Sequence, residues 1–241
     1  MTDTNSLAGK VAVITGGSRG IGFAIAQAFT SRGCEVVITG RNATTLNSAI
    51  ANLKESNAKV LGLPCNVVDP AQVERLFAQV KQAHSKIDIL VNNAGISHAL
   101  APVEQLPIES WRSAIDVNLS GMFFCTQQAL PLMSSGGTIV NNLSIAAVHS
   151  FPGMAAYNAS KAGALGFTNV LREELRKRGI RVVALIVGAT ATEIWDQFWP
   201  EAPKDKMVLP TTVADAVLQA VTLPETAAIE EIRLGPTAGA L

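Results

Sequence analysis

Val11-Ala12-Val13-Ile14-Thr15-Gly16-Gly17-Ser18-Arg19-Gly20-Ile21-Gly22 reads as a strand, a turn and the start of a helix. A β-branched run ends in a glycine-rich turn, and a helix-like stretch, Ile21–Arg32, follows. Glycine suits a place where backbone turns sharply and a ligand comes close. A helix that opens directly after such a turn offers free amides and its positive dipole end to an anion such as pyrophosphate. The glycines fall as G-x-x-x-G-x-G, unlike the usual dinucleotide fingerprint G-x-G-x-x-G. The residues expected to face the ligand are Gly16, Gly17, Ser18, Arg19, Gly20, Ile21 and Gly22.

The same alternation continues outward from this turn. Further strands are expected at Glu35–Thr39, Lys59–Leu63, Ile87–Asn92, Thr138–Leu143, Arg181–Val187 and Ile229–Leu234, with Val11–Thr15 the first. Helices are expected at Ala43–Glu55, Ala71–His84, Glu109–Met133, Tyr157–Arg178 and Thr212–Thr222. Alternating β and α segments indicate a parallel sheet covered by helices on both faces. Nearly continuous apolar strands agree with burial on both faces. The expectation is one α/β domain over residues 1–241, a doubly wound seven-stranded parallel sheet. Gly136-Gly137 marks a tight turn before a strand. Thr190–Met207 breaks the alternation and carries Trp195, Phe198, Trp199, Pro200 and Pro203. It reads either as a lid over a pocket or as a packed surface excursion.

Composition narrows the partners. Lys plus Arg and Asp plus Glu are 19 each, so the formal net charge is zero and no basic field attracts nucleic acid. Met1–Ser6 lacks the basic and apolar regions of a secretory signal, and Val182–Val187 is too short to span a bilayer. Cys34, Cys65 and Cys125 are odd in number and widely spaced, which suits buried thiols in a reducing cytoplasm and no metal site.

A fold that binds NAD normally offers an acid to the ribose 2′-hydroxyl about 20 residues after the turn. This chain reads Val37-Ile38-Thr39-Gly40-Arg41-Asn42 there, with no carboxylate. Arg41 can pair with a 2′-phosphate, with Arg19 approaching from the turn, which favours NADPH over NADH. Further on, Tyr157 and Lys161 stand four residues apart, which is one helix face. At an effective dielectric of 20, two charges ~4 Å apart interact by roughly 4 kcal/mol, or about three pKa units. A phenol tuned by that ammonium can exchange a proton with a carbonyl or alcohol oxygen near neutral pH.

Together these residues resemble the short-chain dehydrogenase/reductase family, over about Gly9 to Gly188. The resemblance is carried by Thr15-Gly16-x-x-x-Gly20-x-Gly22, Asn92-Asn93-Ala94-Gly95, Asn118, Ser144 and Tyr157-x-x-x-Lys161. It implies a single Rossmann-type domain with a seven-stranded parallel sheet, and a catalytic set of Asn118, Ser144, Tyr157 and Lys161. In that set Ser144 bonds the substrate oxygen, Tyr157 exchanges its proton, and Lys161 binds the nicotinamide ribose. Asn118 holds a relay water through its side chain. It also implies that Asn93, Ala94 and Gly95 support the adenosine side of the cofactor. Asn66 and Val67 flank adenine, and Thr190 and Thr192 reach the carboxamide. The chain departs from the family at Val187-Gly188, where Pro-Gly is common, and lacks the Gly-Gly ending of many acyl-carrier-protein reductases.

The expected activity is NADPH-dependent reduction of a carbonyl to an alcohol, or the reverse, on a small hydrophobic ketone or aldehyde. The expected pocket wall is Ile96, His98, Ile145, His149, Phe151, Met154, Ile194, Trp195, Phe198 and Trp199. A cofactor-binding sensor without turnover, and a dehydratase or epimerase on the same fold, stay open at this level. The family pattern also implies a homodimer or homotetramer, with no nucleic acid or membrane partner.

Overall fold

A computed structural model describes residues 6–54 and 58–239. Seven parallel strands run in the order β3-β2-β1-β4-β5-β6-β7. They are β1 Val11–Ile14, β2 Glu35–Gly40, β3 Val60–Pro64, β4 Ile89–Asn92, β5 Thr138–Asn142, β6 Arg181–Val187 and β7 Glu231–Leu234. The helices are α1 Gly20–Thr30, α2 Ala43–Lys54, α3 Pro70–His84, α4 Ile108–Ile115, α5 Gly121–Ala129, α6 Ala155–Arg176 and α7 Pro210–Val221. The expected end of the second helix, Glu55, lies outside the described residues.

Strand register sorts the apolar residues into two layers, because successive side chains point to opposite faces. Val37, Val13, Leu90, Ile139 and Val182 lie opposite one another across five strands and all face the layer of α3, α5 and α6. One residue further on, Ile38, Ile14, Val91, Val140 and Val183 form the matching row against α1, α2 and α7. Each fully buried Val, Leu or Ile stabilises the fold by about 1.5–3 kcal/mol. A one-residue slip in register would exchange the two faces of a strand, so the two covered faces hold the register in place. The strand order reverses between β1 and β4, which leaves a crevice at their carboxyl ends.

Two expectations about elements change. The single helix expected over Glu109–Met133 is α4, a π-helical turn at Asp116–Ser120, then α5 and a 3₁₀ turn at Leu130–Leu132. The widened turn is centred on Asn118, whose side chain bonds outside the helix. The segment after β6 forms two 3₁₀ turns, Glu193–Gln197 and Lys204–Lys206, tied back by a bridge between Thr190 and Val208. Several strand ends also move by one or two residues. Cys34, Cys65 and Cys125 are free and buried. No helix among the described residues is long and apolar enough to cross a membrane.

Candidate active site

The carboxyl ends of β1, β4, β5 and β6 open into one cavity of about 1040 Å³. Its floor begins at the glycine turn. Gly16 and Gly20 have φ of +62° and +55°, which a side chain would strain. A Cβ on Gly16 would also meet Ala94 Cα at 2.9 Å. Gly17 and Gly22 do not line the cavity as expected. They allow close packing instead: a Cβ on Gly17 would strike Ile38 at 2.7 Å, and one on Gly22 would strike Asn93 Nδ2 at 2.3 Å.

Asn93 holds this turn in shape. Its Nδ2 donates to the carbonyls of Thr15 (3.0 Å) and Gly16 (2.9 Å). Thr15 Oγ1 accepts from the amides of Asn93 and Ala94, each at 3.0 Å. Asn142 Nδ2 donates to Asn93 Oδ1 at 2.8 Å, which links β5 to the turn. The α1 N-terminus has no side-chain cap, so its amides are available to an anion.

Arg19 and Arg41 are exposed, line the cavity and have no ion-pair partner among the described residues. Asn66 and Val67 line it as well, and Asn66 Oδ1 is buried without a hydrogen-bond partner. These features fit a nucleotide: an uncapped helix start, two free guanidinium groups and an orphan amide acceptor. Thr190 and Thr192 line the cavity, and their hydroxyls donate to the carbonyls of Gly188 (3.1 Å) and Thr190 (3.4 Å). Val187 is buried in the core, and Gly188 N–H donates to Leu234 at 2.7 Å. The loop is therefore anchored without the proline that the family commonly carries.

At the other end, Ser144, Tyr157 and Lys161 meet on the cavity wall. Ser144 stands two residues past β5 and caps the 3₁₀ turn Ile145–Ala147, its Oγ accepting from Ala146 N–H at 3.1 Å. Burial pushes the Tyr157 phenol above its ordinary pKa, and the Ser144 hydroxyl opposes this. Lys161 is 4% exposed, and desolvation pushes its ammonium down to about 8. Its Nζ donates to the Asn142 carbonyl at 2.9 Å and lies 5.7 Å from the Tyr157 ring centroid. The expected depression of the Tyr157 pKa by Lys161 is thus not seen here. The ammonium is directed at a backbone carbonyl, and burial dominates both groups.

Asn118 also differs from expectation. It is 1% exposed and does not line the cavity. Its Oδ1 accepts from Ile96 N–H at 2.9 Å, and its Nδ2 donates to Ile96 O (3.0 Å) and Ser160 Oγ (2.9 Å). Both Nδ2 protons and Oδ1 are thus bonded to protein groups. The side chain straps the loop after β4 to α6, and the π turn lets it leave the helix to do so. His98 is buried and lies off the cavity wall, whereas the other nine residues expected on that wall do line it.

Sequence reading missed Asn142 and Asn158. Asn158 Nδ2 donates to Ala146 O (2.9 Å) and His149 O (2.6 Å), which fixes the loop after Ser144 against α6. Two neighbouring asparagines, Asn141 and Asn142, at the end of an apolar strand were the available signal. Asn142 reaches the glycine turn, while Asn141 Nδ2 donates to Thr168 Oγ1 on the opposite layer.

A family model described as short chain dehydrogenase matches residues 10–203. A 3-oxoacyl-[acyl-carrier-protein] reductase from Synechocystis sp. is 36% identical over 192 residues, covering 78% of this chain and 77% of that one. A dehydrogenase/reductase from Sinorhizobium meliloti superimposes with a TM-score of 0.88 at 29% identity, covering 98% of each chain. A short chain dehydrogenase from Burkholderia cenocepacia in complex with NADP gives a TM-score of 0.85 at 31% identity, covering 95% of this chain and 97% of that one.

Proposed function

This chain belongs to the short-chain dehydrogenase family, and from that premise we propose that it interconverts a carbonyl and an alcohol with NADPH as hydride source. The observation that carries the reading is the meeting of Ser144, Tyr157 and Lys161 on the same cavity as the glycine turn and α1. Arg41 and Arg19 would hold the 2′-phosphate, and the α1 amides the pyrophosphate. Asn66 and Val67 would hold adenine, and Thr190 and Thr192 the carboxamide. The NADP complex of the Burkholderia cenocepacia relative supports the choice of cofactor.

A nicotinamide nucleotide bound here supplies or removes a hydride at the substrate carbon. The chain's residues handle the oxygen. Tyr157 donates its proton to that oxygen in reduction and takes it back in oxidation. Ser144 gives the same oxygen a second hydrogen bond. Lys161 keeps a positive charge next to the phenol and bonds the ribose hydroxyls. Asn118 keeps the loop at Ile96 and the helix carrying Tyr157 in register.

The substrate end of the cavity is lined by Leu100, Phe151, Met154, Trp195, Phe198 and Trp199, which suits a hydrophobic ketone or aldehyde. We read Thr190–Met207 as the lid over it, within one domain. Exposed Trp111, Phe123 and Val170 suit assembly as a homodimer or homotetramer. A carbonyl panel run in parallel with NADPH and NADH tests the reading, alongside Tyr157→Phe. Turnover should vanish in the variant while NADPH still binds. Wild-type rates in that variant would remove Tyr157 from the chemistry.

A further inference from the structure

His98 follows β4 in the loop that Asn118 straps down, and neither the glycine turn nor the cavity uses it. Its Nδ1 lies 2.8 Å from the Ala99 carbonyl oxygen. A carbonyl can only accept, so Nδ1 carries the proton. Its Nε2 accepts from the Tyr157 backbone N–H at 3.3 Å, so Nε2 carries none. The two bonds define a neutral ring in one tautomer.

The place of the second bond matters. α6 begins at Ala155, and its N-cap residue, Met154, makes no side-chain cap bond. The first amides of a helix have no partner within it. Asn158 N–H already reaches Met154 O at 2.8 Å, which leaves Tyr157 as the last of the orphan amides. His98 therefore caps α6 from a separate loop, and it does so at the backbone of Tyr157 itself. On the other side of that residue, the Tyr157 carbonyl accepts from Ser160 Oγ at 2.8 Å, and Ser160 Oγ accepts from Asn118 Nδ2. Both backbone groups of Tyr157 are thus held from the loop after β4: the amide by His98, the carbonyl through Asn118 and Ser160.

We infer that His98 is a positioning residue for Tyr157, fixing the backbone from which the phenol enters the cavity. The inference rests on the reading of Tyr157 as the group that moves the proton. An apolar side chain at 98 leaves the Tyr157 amide buried and unpaired, and the first turn of α6 shifts to find another acceptor. A small misplacement of a reacting group lowers turnover without touching binding at the far end of the cavity.

The test compares His98→Leu with His98→Gln, whose Oε1 can replace Nε2 as acceptor. Tyr157 is the single tyrosine of the chain, so the near-ultraviolet absorbance of phenolate reports it alone. In His98→Leu the phenol titration midpoint should move away from that of the wild type. Its kcat with NADPH and the best carbonyl of the panel should fall about tenfold or more. NADPH affinity should stay unchanged, and His98→Gln should restore both midpoint and kcat. A His98→Leu protein that titrates and turns over like the wild type would overturn the inference. So would a His98→Gln protein as impaired as His98→Leu, or a loss of NADPH affinity in step with kcat. If the wild type reduces no carbonyl, the role of Tyr157 fails, and the absorbance titration still decides whether His98 sets the phenol's surroundings.

Discussion

Replacing Lys161 by Met should change how the protein's stability depends on pH, by an amount that follows from burial. The Lys161 ammonium falls from its ordinary 10.5 to about 8, with desolvation as the cause. A depression of about 2.5 units corresponds to about 3 kcal/mol of destabilisation whenever the group is charged in both folded and unfolded chains. The sign is opposite to that of a paired lysine. Below pH 8 both states are protonated and the full cost is present. Between pH 8 and 10.5 the unfolded chain still binds the proton that the folded chain has released, so this residue's contribution to stability rises with pH. Above 10.5 the cost is gone. Urea unfolding of wild type and Lys161→Met at fixed protein concentration gives the difference directly. Lys161→Met also strips the Asn142 carbonyl of its partner, which adds an offset that does not titrate. Cys34 and Cys65, pushed up to about 12 and about 11 by burial, and Tyr157 act in both proteins and cancel. From pH 7 to pH 10 the wild type should gain roughly 2.5 kcal/mol relative to the variant. A difference that stays constant over that range, or that moves in favour of the variant, would refute a desolvated Lys161 whose partner is a neutral carbonyl.

Other outcomes follow from the same site. The Tyr157 phenol in cofactor-free protein should titrate above its ordinary 10.0, and Ser144→Ala should raise it further because the hydroxyl that lowers it is removed. Spectrophotometric titration checks both, and a midpoint below 10 would contradict the dominance of burial. Arg41→Ala should weaken NADPH binding by roughly 10- to 100-fold, the worth of a charged hydrogen bond, and leave NADH unaffected. Quenching of tryptophan fluorescence, with Trp195 and Trp199 on the cavity wall, measures both affinities, and equal losses would deny a 2′-phosphate contact.

The fold was legible because its signals are local and repeated. Alternating apolar strands and amphipathic helices imply a parallel sheet, and the strand rows through Val13 and Ile14 bear this out. The glycine turn was legible for the same reason, although Gly17 and Gly22 turned out to serve packing. The π turn was not legible as such. Asn118 stands in a segment with good helical periodicity, and its partners, Ile96 and Ser160, are 22 and 42 residues away. The state of Tyr157 was misjudged for a related reason. Helical spacing places Lys161 on the same face, but the end of a lysine side chain reaches several ångströms in any direction. Here it goes to Asn142, a residue on another element. His98 is expected on the wall from the sequence, whereas its ring turns toward α6.

The charge of the chain as a whole also concealed a local property. With 19 basic and 19 acidic residues, no field is expected from composition. Around the cavity, however, stand Arg19, Arg41, Lys161 and Arg233 against the single carboxylate of Glu193. Arg233 is bonded to Glu231, which leaves three cations facing one carboxylate. Glu193 sits beside the turn, its Oε2 3.7 Å from where a Cβ of Gly20 would lie. The α1 dipole adds positive potential at the same place. A ligand with several phosphate charges therefore meets complementary potential at the turn, although the chain as a whole carries no net charge.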